Sequence, residues 1–409
     1  MTEGMINIKN LIPRRLYTNK ITPFIDKKMI KVITGQRRVG KSYILFQLIE
    51  EIKQQNPKAN VIYINKELKT FETITDDNTL YHYVKKQLQV DTQNYLFVDE
   101  IQDIQHFEKA LRSLLVEDCC DIFCTGSNAK LLSGELATFL GGRYMEFVVH
   151  SLSYSEFLHF FSLENTNDNL YKYIQVGGMP YIKVIGLNEL QIFEYLKNLY
   201  ASILLKDVVA RENIRNIHFL ENLVEFLADN IGNLFSASNI SKYLKSQQTS
   251  VTPQLVLNYL KSLLNAFFLH KTTRYDIKGM RIFEFGEKYY FEDIGLRNCI
   301  RGFNRQNDIG KVIENLVYLH LLQSGCKVFV GKLDNEEIDF IAEKDGQKIY
   351  VQVAYLLVDK KTQEREFGNL LKIDDNYRKY VVTMDDYNIH SNYNGVEHMH
   401  LRNFLMLSI

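Results

Sequence analysis

Tryptophan is absent from this 409-residue chain, and proline occurs only five times. So little proline excludes a Pro-rich linker or a polyproline recognition tract. Cysteine is equally scarce, with five residues and no C-x-x-C pair. That argues against a disulfide-framed secreted fold and against the usual zinc spacing. Cys119, Cys120, Cys124, Cys299 and Cys326 read as reduced thiols. Net charge is lacking too, since 49 basic residues face 49 acidic ones. No global basic footprint marks the chain for nucleic acid, although a local DNA-binding face is left open. The longest apolar run, Ile349 to Val358, contains Gln352 and is too short to span a bilayer. The opening MTEGMINIKNLIPRR has no apolar core, so no signal peptide is expected. The reading is of a soluble, cytoplasmic protein.

What the chain does have is apolar residues at 46%, enough for sizeable cores, and length for two to three domains. It also has a loop, Gly35-Gln36-Arg37-Arg38-Val39-Gly40-Lys41-Ser42, which fits G-x-x-x-x-G-K-[ST] at every fixed position. An apolar run precedes it, Ile30 to Thr34, and Tyr43 to Ile49 follows with helical spacing. Glycines let backbone N–H groups close around a polyphosphate, and the helix start adds its positive dipole end. Residues Gly35 to Tyr43 are therefore the expected nucleotide cradle. Lys41 is expected to reach the β/γ-phosphates, and Ser42 to hold Mg²⁺.

A second apolar strand, Asn94 to Val98, ends in Asp99 and Glu100, a Walker B pattern. Asp99 is the expected second Mg²⁺ ligand, and Glu100 the group that polarises the attacking water. A third strand, Asp121 to Thr125, ends in polar residues. Ligands of open α/β sheets lie at the carboxyl ends of the strands. Asn128, or Ser127, is thereby placed to sense the γ-phosphate or its water; a turn cap is the plainer alternative.

The run from GQRRVGKS through FVDEIQ to TGSNAKLLSGELATFLGGRY resembles the bacterial and archaeal AAA-type ATPases that carry a C-terminal domain of unknown function. Ser151 to Phe157, the Gly177-Gly178-Met179-Pro180 turn and Tyr289 to Leu296 resemble later blocks of the same family. The resemblance implies an α/β P-loop NTPase domain, ATP and Mg²⁺ as ligands, and hydrolysis. Such ATPases complete their site with an arginine, from the same chain or a neighbouring subunit. Arg143 is the first candidate and Arg112 the second, with Arg37 and Arg38 inside the loop itself.

Strand and helix alternate to about residue 150, which predicts a parallel three-layer domain over 1–150. Helical spacing predicts a connector over 151–215. Three short helices and the run FFLHKTTRY over 216–283 read as a winged helix-turn-helix. If that unit binds duplex DNA through residues 249–281, Thr249, Ser250, Thr252 and Gln254 would face bases. Lys271, Arg274, Lys278 and Arg281 would then meet phosphates. A pure packing module is the equal alternative.

Residues 284–409 predict a helix over 309–322, a strand at 326–330 and a hairpin turning at Asp345-Gly346. This frame resembles PD-(D/E)xK nucleases. Glu314 matches the helix acid and Asp339 the strand acid. Gln352 stands in place of the second acid, and Ala354 in place of the lysine; Lys348 shares a strand face with Gln352. The resemblance then implies a degenerate nuclease fold used for binding or assembly. Two functions follow: an ATP-driven switch or motor acting with DNA, or a nucleotide-gated scaffold with a protein partner. Either leaves a homo-oligomer open.

Overall fold

A computed structural model describes residues 11–129, 141–212, 214–246, 251–357, 359–386 and 392–409. The chain divides into two compact units: residues 1–150 with 265–267, and residues 151–264 with 268–409.

The first unit is built on five parallel strands. These are β1 (Ile30–Thr34), β2 (Asn60–Asn65), β3 (Asn94–Asp99), β4 (Asp121–Gly126) and β5 (Tyr144–Val148), in the order β2-β3-β4-β1-β5. Helix α1 (Arg15–Ile21) precedes the sheet; the crossovers that parallel strands require run through α2 (Lys41–Gln55), α3 (Asp77–Gln87) and α4 (Phe107–Glu117) between β1 and β4. Strands β1, β3 and β4 are buried along their whole length, as a sheet covered on both faces demands. Helix α4 buries Phe107, Ala110, Leu111, Leu114 and Leu115, a 3–4 spacing that forms one apolar stripe. Helix α3 starts at a capping box, with Asp76 accepting from the Thr79 amide at 2.9 Å.

A buried charge sits at one end of this core. Lys31, on β1, is wholly buried against the Phe123 ring. It bonds Asp121 and the carbonyls of Met29 and Lys27, so its charge is compensated at the amino end of the sheet, away from the loop.

The second unit begins with α5 (Tyr154–Phe161), α6 (Asn167–Val176) and α7 (Glu189–Ser202), the last running on into a π-helical stretch over Ile203–Ala210. Next come α8 (Ile217–Asp229), α9 (Ala237–Ser246) and α10 (Pro253–Asn265), then the hairpin β6 (Leu269–Asp276) and β7 (Arg281–Phe291). After these follow α11 (Ile294–Arg301), α12 (Arg305–Gln323), β8 (Lys327–Leu333), β9 (Glu336–Lys344), β10 (Gln347–Val353), α13 (Lys360–Leu371), β11 (Arg378–Thr383), β12 (Asn392–Tyr393) and β13 (Val396–His400). All eight strands form one sheet, ordered β12-β13-β11-β10-β9-β8-β6-β7. Asp345 and Gly346 turn the β9–β10 hairpin with φ of 50° and 78°, the left-handed pair that a tight two-residue turn needs.

The run expected to be a β-wing pairs within this sheet. Strand β6 pairs with β7 on one side and, through Arg274–Asp276, lies parallel to β8 on the other. A domain boundary at 283/284 falls inside β7. Hydrogen bonding explains the difference: a two-stranded ribbon leaves both edges unpaired, and joining β8 satisfies one of them.

Two sequence blocks of unassigned role meet here. The Gly178 N–H donates to Asp293 Oδ2 at 2.7 Å, and the same carboxylate caps α11 through the Leu296 N–H at 3.0 Å. A Cβ on Gly177 would stand 2.4 Å from Asp293 Oδ1, which explains a glycine there. Among the described residues no helix is long and apolar enough to cross a membrane.

Candidate functional site

At the carboxyl end of β1 the backbone turns at Gly35, whose φ is +140°. A Cβ there would lie 2.1 Å from the Val149 carbonyl oxygen, so only glycine fits. Gly40, at φ +98°, opens α2. The loop between them curls around the Lys41 ammonium, which donates to the carbonyls of Gly35 (3.0 Å) and Gln36 (2.9 Å) and is almost fully buried. Tyr43 and Arg38 are exposed, Arg37 lies 3.5 Å from Glu67, and Val39 and Gln36 are buried.

The strand order brings the two acids to this loop with β4 between them. Asp99 ends β3, is buried, accepts from Thr125 Oγ1 and lies near the Ser42 hydroxyl. Burial pushes its carboxyl above the usual range, while those two hydroxyls and the nearby Lys41 charge pull it back. Tyr63 on β2 also donates to Asp99 Oδ2, at 3.2 Å. Glu100 follows in a left-handed conformation, φ 56°. Its N–H donates to Thr125 Oγ1 at 3.0 Å, and its carboxylate accepts from Gln102 Nε2 and from Ser127 Oγ at 3.2 Å. Asn128 lies next in the chain, half-buried, just past the end of β4.

Lys41, Ser42 and Asp99 are thus assembled, with Glu100 one residue on. Tyr63, Thr125 and Gln102 also touch the two acids, and sequence reasoning missed them. Thr125 was legible as part of a strand ending beside the site; Tyr63 carried no signal, because nothing local says that β2 lies beside β3.

Arg143 is not with them. It immediately precedes β5, and its carbonyl accepts the Ile30 N–H, at the amino end of β1. The loop leaves from the other end, about 13 Å of strand away. Arg143 therefore does not face the nucleotide loop of its own chain. Arg112 is exposed on α4.

The second unit gathers a separate charged cluster. Glu314 (α12) and Asp339 (β9) lie close enough for their charges to interact, and Asp339 is pushed well above the usual carboxyl range by burial and by the Glu314 charge. Gln352 Oε1 accepts the Asp339 N–H at 3.3 Å. Lys348 is elsewhere, 3.0 Å from Glu343. The lysine in the cluster is Lys288 on β7, 3.0 Å from Glu314 and 2.8 Å from Glu337. It escaped sequence reasoning because β7 lies three places from β9 in the sheet order.

The expected DNA face is partly described. Thr249 and Ser250 lie outside the described residues. Thr252 caps α10, accepting from the Leu255 N–H at 3.2 Å, and Gln254 bonds Asn258 at 3.1 Å. Lys271, Lys278 and Arg281 are each paired with a carboxylate, of Glu287, Asp334 and Asp276 respectively. The hairpin is therefore not a bare cationic stripe.

Residues 27–158 match a family described as an AAA domain, and residues 167–307 match a domain of unknown function. An uncharacterized protein of Haemophilus influenzae is 36% identical over 404 residues, covering 97% of this chain and 99% of that protein. An uncharacterized protein of Methanocaldococcus jannaschii is 32% identical over 378 residues, covering 87% and 82%. Among solved structures, Aeropyrum pernix Orc1 in complex with DNA is 10% identical, with 72% of this chain and 93% of that one covered and a TM-score of 0.31. AMPPCP-bound DnaA from Aquifex aeolicus is 15% identical, with 51% and 71% covered and a TM-score of 0.29. At such scores neither structure says more about this chain.

Proposed function

This chain belongs to the AAA-domain family that includes the Haemophilus influenzae and Methanocaldococcus jannaschii proteins, and we propose that it binds Mg-ATP, hydrolyses it, and works as a switch or motor on duplex DNA. The observation that carries the reading is the convergence of Lys41, Ser42 and Asp99 at the carboxyl end of the sheet, with Glu100 next in line. A hydroxyl and a carboxylate are hard oxygen donors suited to Mg²⁺, which would neutralise phosphate charge when bound.

The chain's own residues then divide the work. Backbone N–H groups of Gly35 to Ser42 and the α2 dipole receive the phosphates. Lys41 exchanges the carbonyls of Gly35 and Gln36 for phosphate oxygens. Glu100 takes the proton of the attacking water, and Asn128 or Ser127 orients that water. Thr125 holds Asp99 and Glu100 in register. An arginine completes the site from a neighbouring subunit, with Arg143 as candidate, and this makes a homo-oligomer part of the proposal. DNA is the favoured partner because Thr252 and Gln254 stand at the start of α10, where a recognition helix makes base contacts. The pairing of the hairpin cations weakens this half of the reading.

A second reading has its own observation. The Glu100 carboxylate is engaged by Gln102 and Ser127, which suits a nucleotide-gated scaffold with negligible turnover until a protein partner frees it. The test is Mg-dependent ATP turnover by wild type and Glu100→Gln, each with and without duplex DNA. Turnover that DNA stimulates and that Glu100→Gln loses supports the switch or motor. Tight Mg-ATP binding with no turnover above the Glu100→Gln level supports the scaffold.

A further inference from the structure

The charged cluster of the second unit has an unusual composition. Glu337 and Asp339 lie two apart on β9 and share a face; Lys288 and Tyr290 do the same on β7. Glu314 joins them from α12. Three carboxylates thus meet around one ammonium. The Lys288 side chain is 2% exposed and touches two of the three, Glu314 at 3.0 Å and Glu337 at 2.8 Å. The third, Asp339, acts on it through its charge and takes the Val353 N–H at 2.8 Å.

We propose that Lys288 is the resident cation of this cluster, an ammonium standing where the carboxylates would otherwise need a divalent metal, so that the folded chain keeps the cluster closed to metal.

Hydrogen bonds and the ammonium already engage several of the cluster's oxygens. The Glu314 oxygen bonded to Lys288 also accepts the Tyr290 hydroxyl at 2.7 Å. The Glu314 carboxylate also lies close to Gly232, where any Cβ would stand only 2.7–2.9 Å from its carboxyl atoms. Gln352 adds no charge, and its oxygen is spent on the Asp339 N–H. A divalent ion takes oxygens at roughly 2.0–2.5 Å. Bound here it would stand beside a buried ammonium on the same oxygens, with like charges meeting where little solvent screens them. Lys288 could yield only by giving up its contacts with Glu314 and Glu337, and loss of one partner of a buried ion pair is strongly destabilising.

Charge balance agrees. Burial lowers the affinity of Lys288 for its proton, but the carboxylates more than restore it, and it stays charged. Burial and the Glu314 charge also push the Asp339 carboxyl well above its usual range, which favours its neutral form. This inference does not depend on the ATPase reading.

The test is Mn²⁺ binding to the full chain without nucleotide, read by electron paramagnetic resonance. It compares wild type, Asp339→Asn, Lys288→Ala and the double variant, whose nucleotide-loop residues are identical. Wild type and Asp339→Asn are expected to bind Mn²⁺ alike, and Lys288→Ala to gain one site that the double variant loses. A wild-type Mn²⁺ site, or Mn²⁺-dependent DNA cleavage, that Asp339→Asn abolishes would overturn the proposal. So would a folded Lys288→Ala that gains no site. If Lys288→Ala does not fold, the comparison of wild type with Asp339→Asn decides alone.

Discussion

Thr125 Oγ1 accepts the backbone N–H of Glu100 at 3.0 Å and gives its own proton to Asp99. One buried hydroxyl on β4 thereby holds both acids of β3. Thr125→Val keeps the shape and removes both bonds, leaving a buried N–H unsatisfied. Stability should fall by about 1–3 kcal/mol. Turnover should fall at least tenfold while ATP affinity changes little, because the two acids lose their relative position. Steady-state kinetics beside nucleotide titration checks the split; equal loss in both would make Thr125 a packing residue only.

Lys41→Ala and Glu100→Gln should separate binding from chemistry. The first removes the cation that receives phosphate charge and should abolish nucleotide binding or turnover. The second keeps the cradle and removes the proton acceptor, giving a complex that holds ATP without hydrolysing it. Hydrolysis at the wild-type rate by both variants would sink the site assignment.

Gly35→Ala should fail at the loop. The added Cβ would meet the Val149 oxygen at 2.1 Å, in a backbone conformation that alanine avoids. The expected result is loss of nucleotide binding together with on the order of 2 kcal/mol of stability. Denaturant melts and ATP titration both report it.

Arg143 lies at the amino end of the sheet, so any action on nucleotide must be exerted on another subunit. Arg143→Ala and Lys41→Ala should each be inactive alone, and their mixture should recover turnover, since the second variant supplies the arginine to the first one's intact loop. Full turnover by Arg143→Ala alone would remove this residue from the mechanism.

His320, on α12, is buried against the Phe404 ring, and burial pulls its imidazole down to about 4 from an ordinary 6.5. The sign follows from linkage: the unfolded chain takes up a proton below 6.5 that the folded chain refuses until about 4. The stability is therefore fully present above pH 6.5 and is lost as pH falls toward 4, on the order of 3 kcal/mol in all. His320→Phe should flatten that part of the pH–stability curve, measured by urea unfolding at several pH values.

The sequence alone determined the nucleotide loop and the two acids, because each is a local device. The glycines, Lys41 and Ser42 act within one turn of chain, and Asp99 and Glu100 end a recognisable apolar strand. It also determined the alternation of strands and helices in the first unit, since burial on both faces of a parallel sheet writes itself as continuous apolar runs. Spacing along the chain says nothing about strand order. Only the tertiary structure decided that β4 separates β1 from β3, which puts Thr125 between the two acids and Tyr63 beside Asp99. It also carried Arg143 to the far end of the sheet, drew the presumed wing into an eight-stranded sheet, and supplied from β7 a lysine that looked absent from β10. Each of these depends on which strands pair, and pairing is decided by burial and hydrogen bonding summed over the unit rather than by any neighbouring residues.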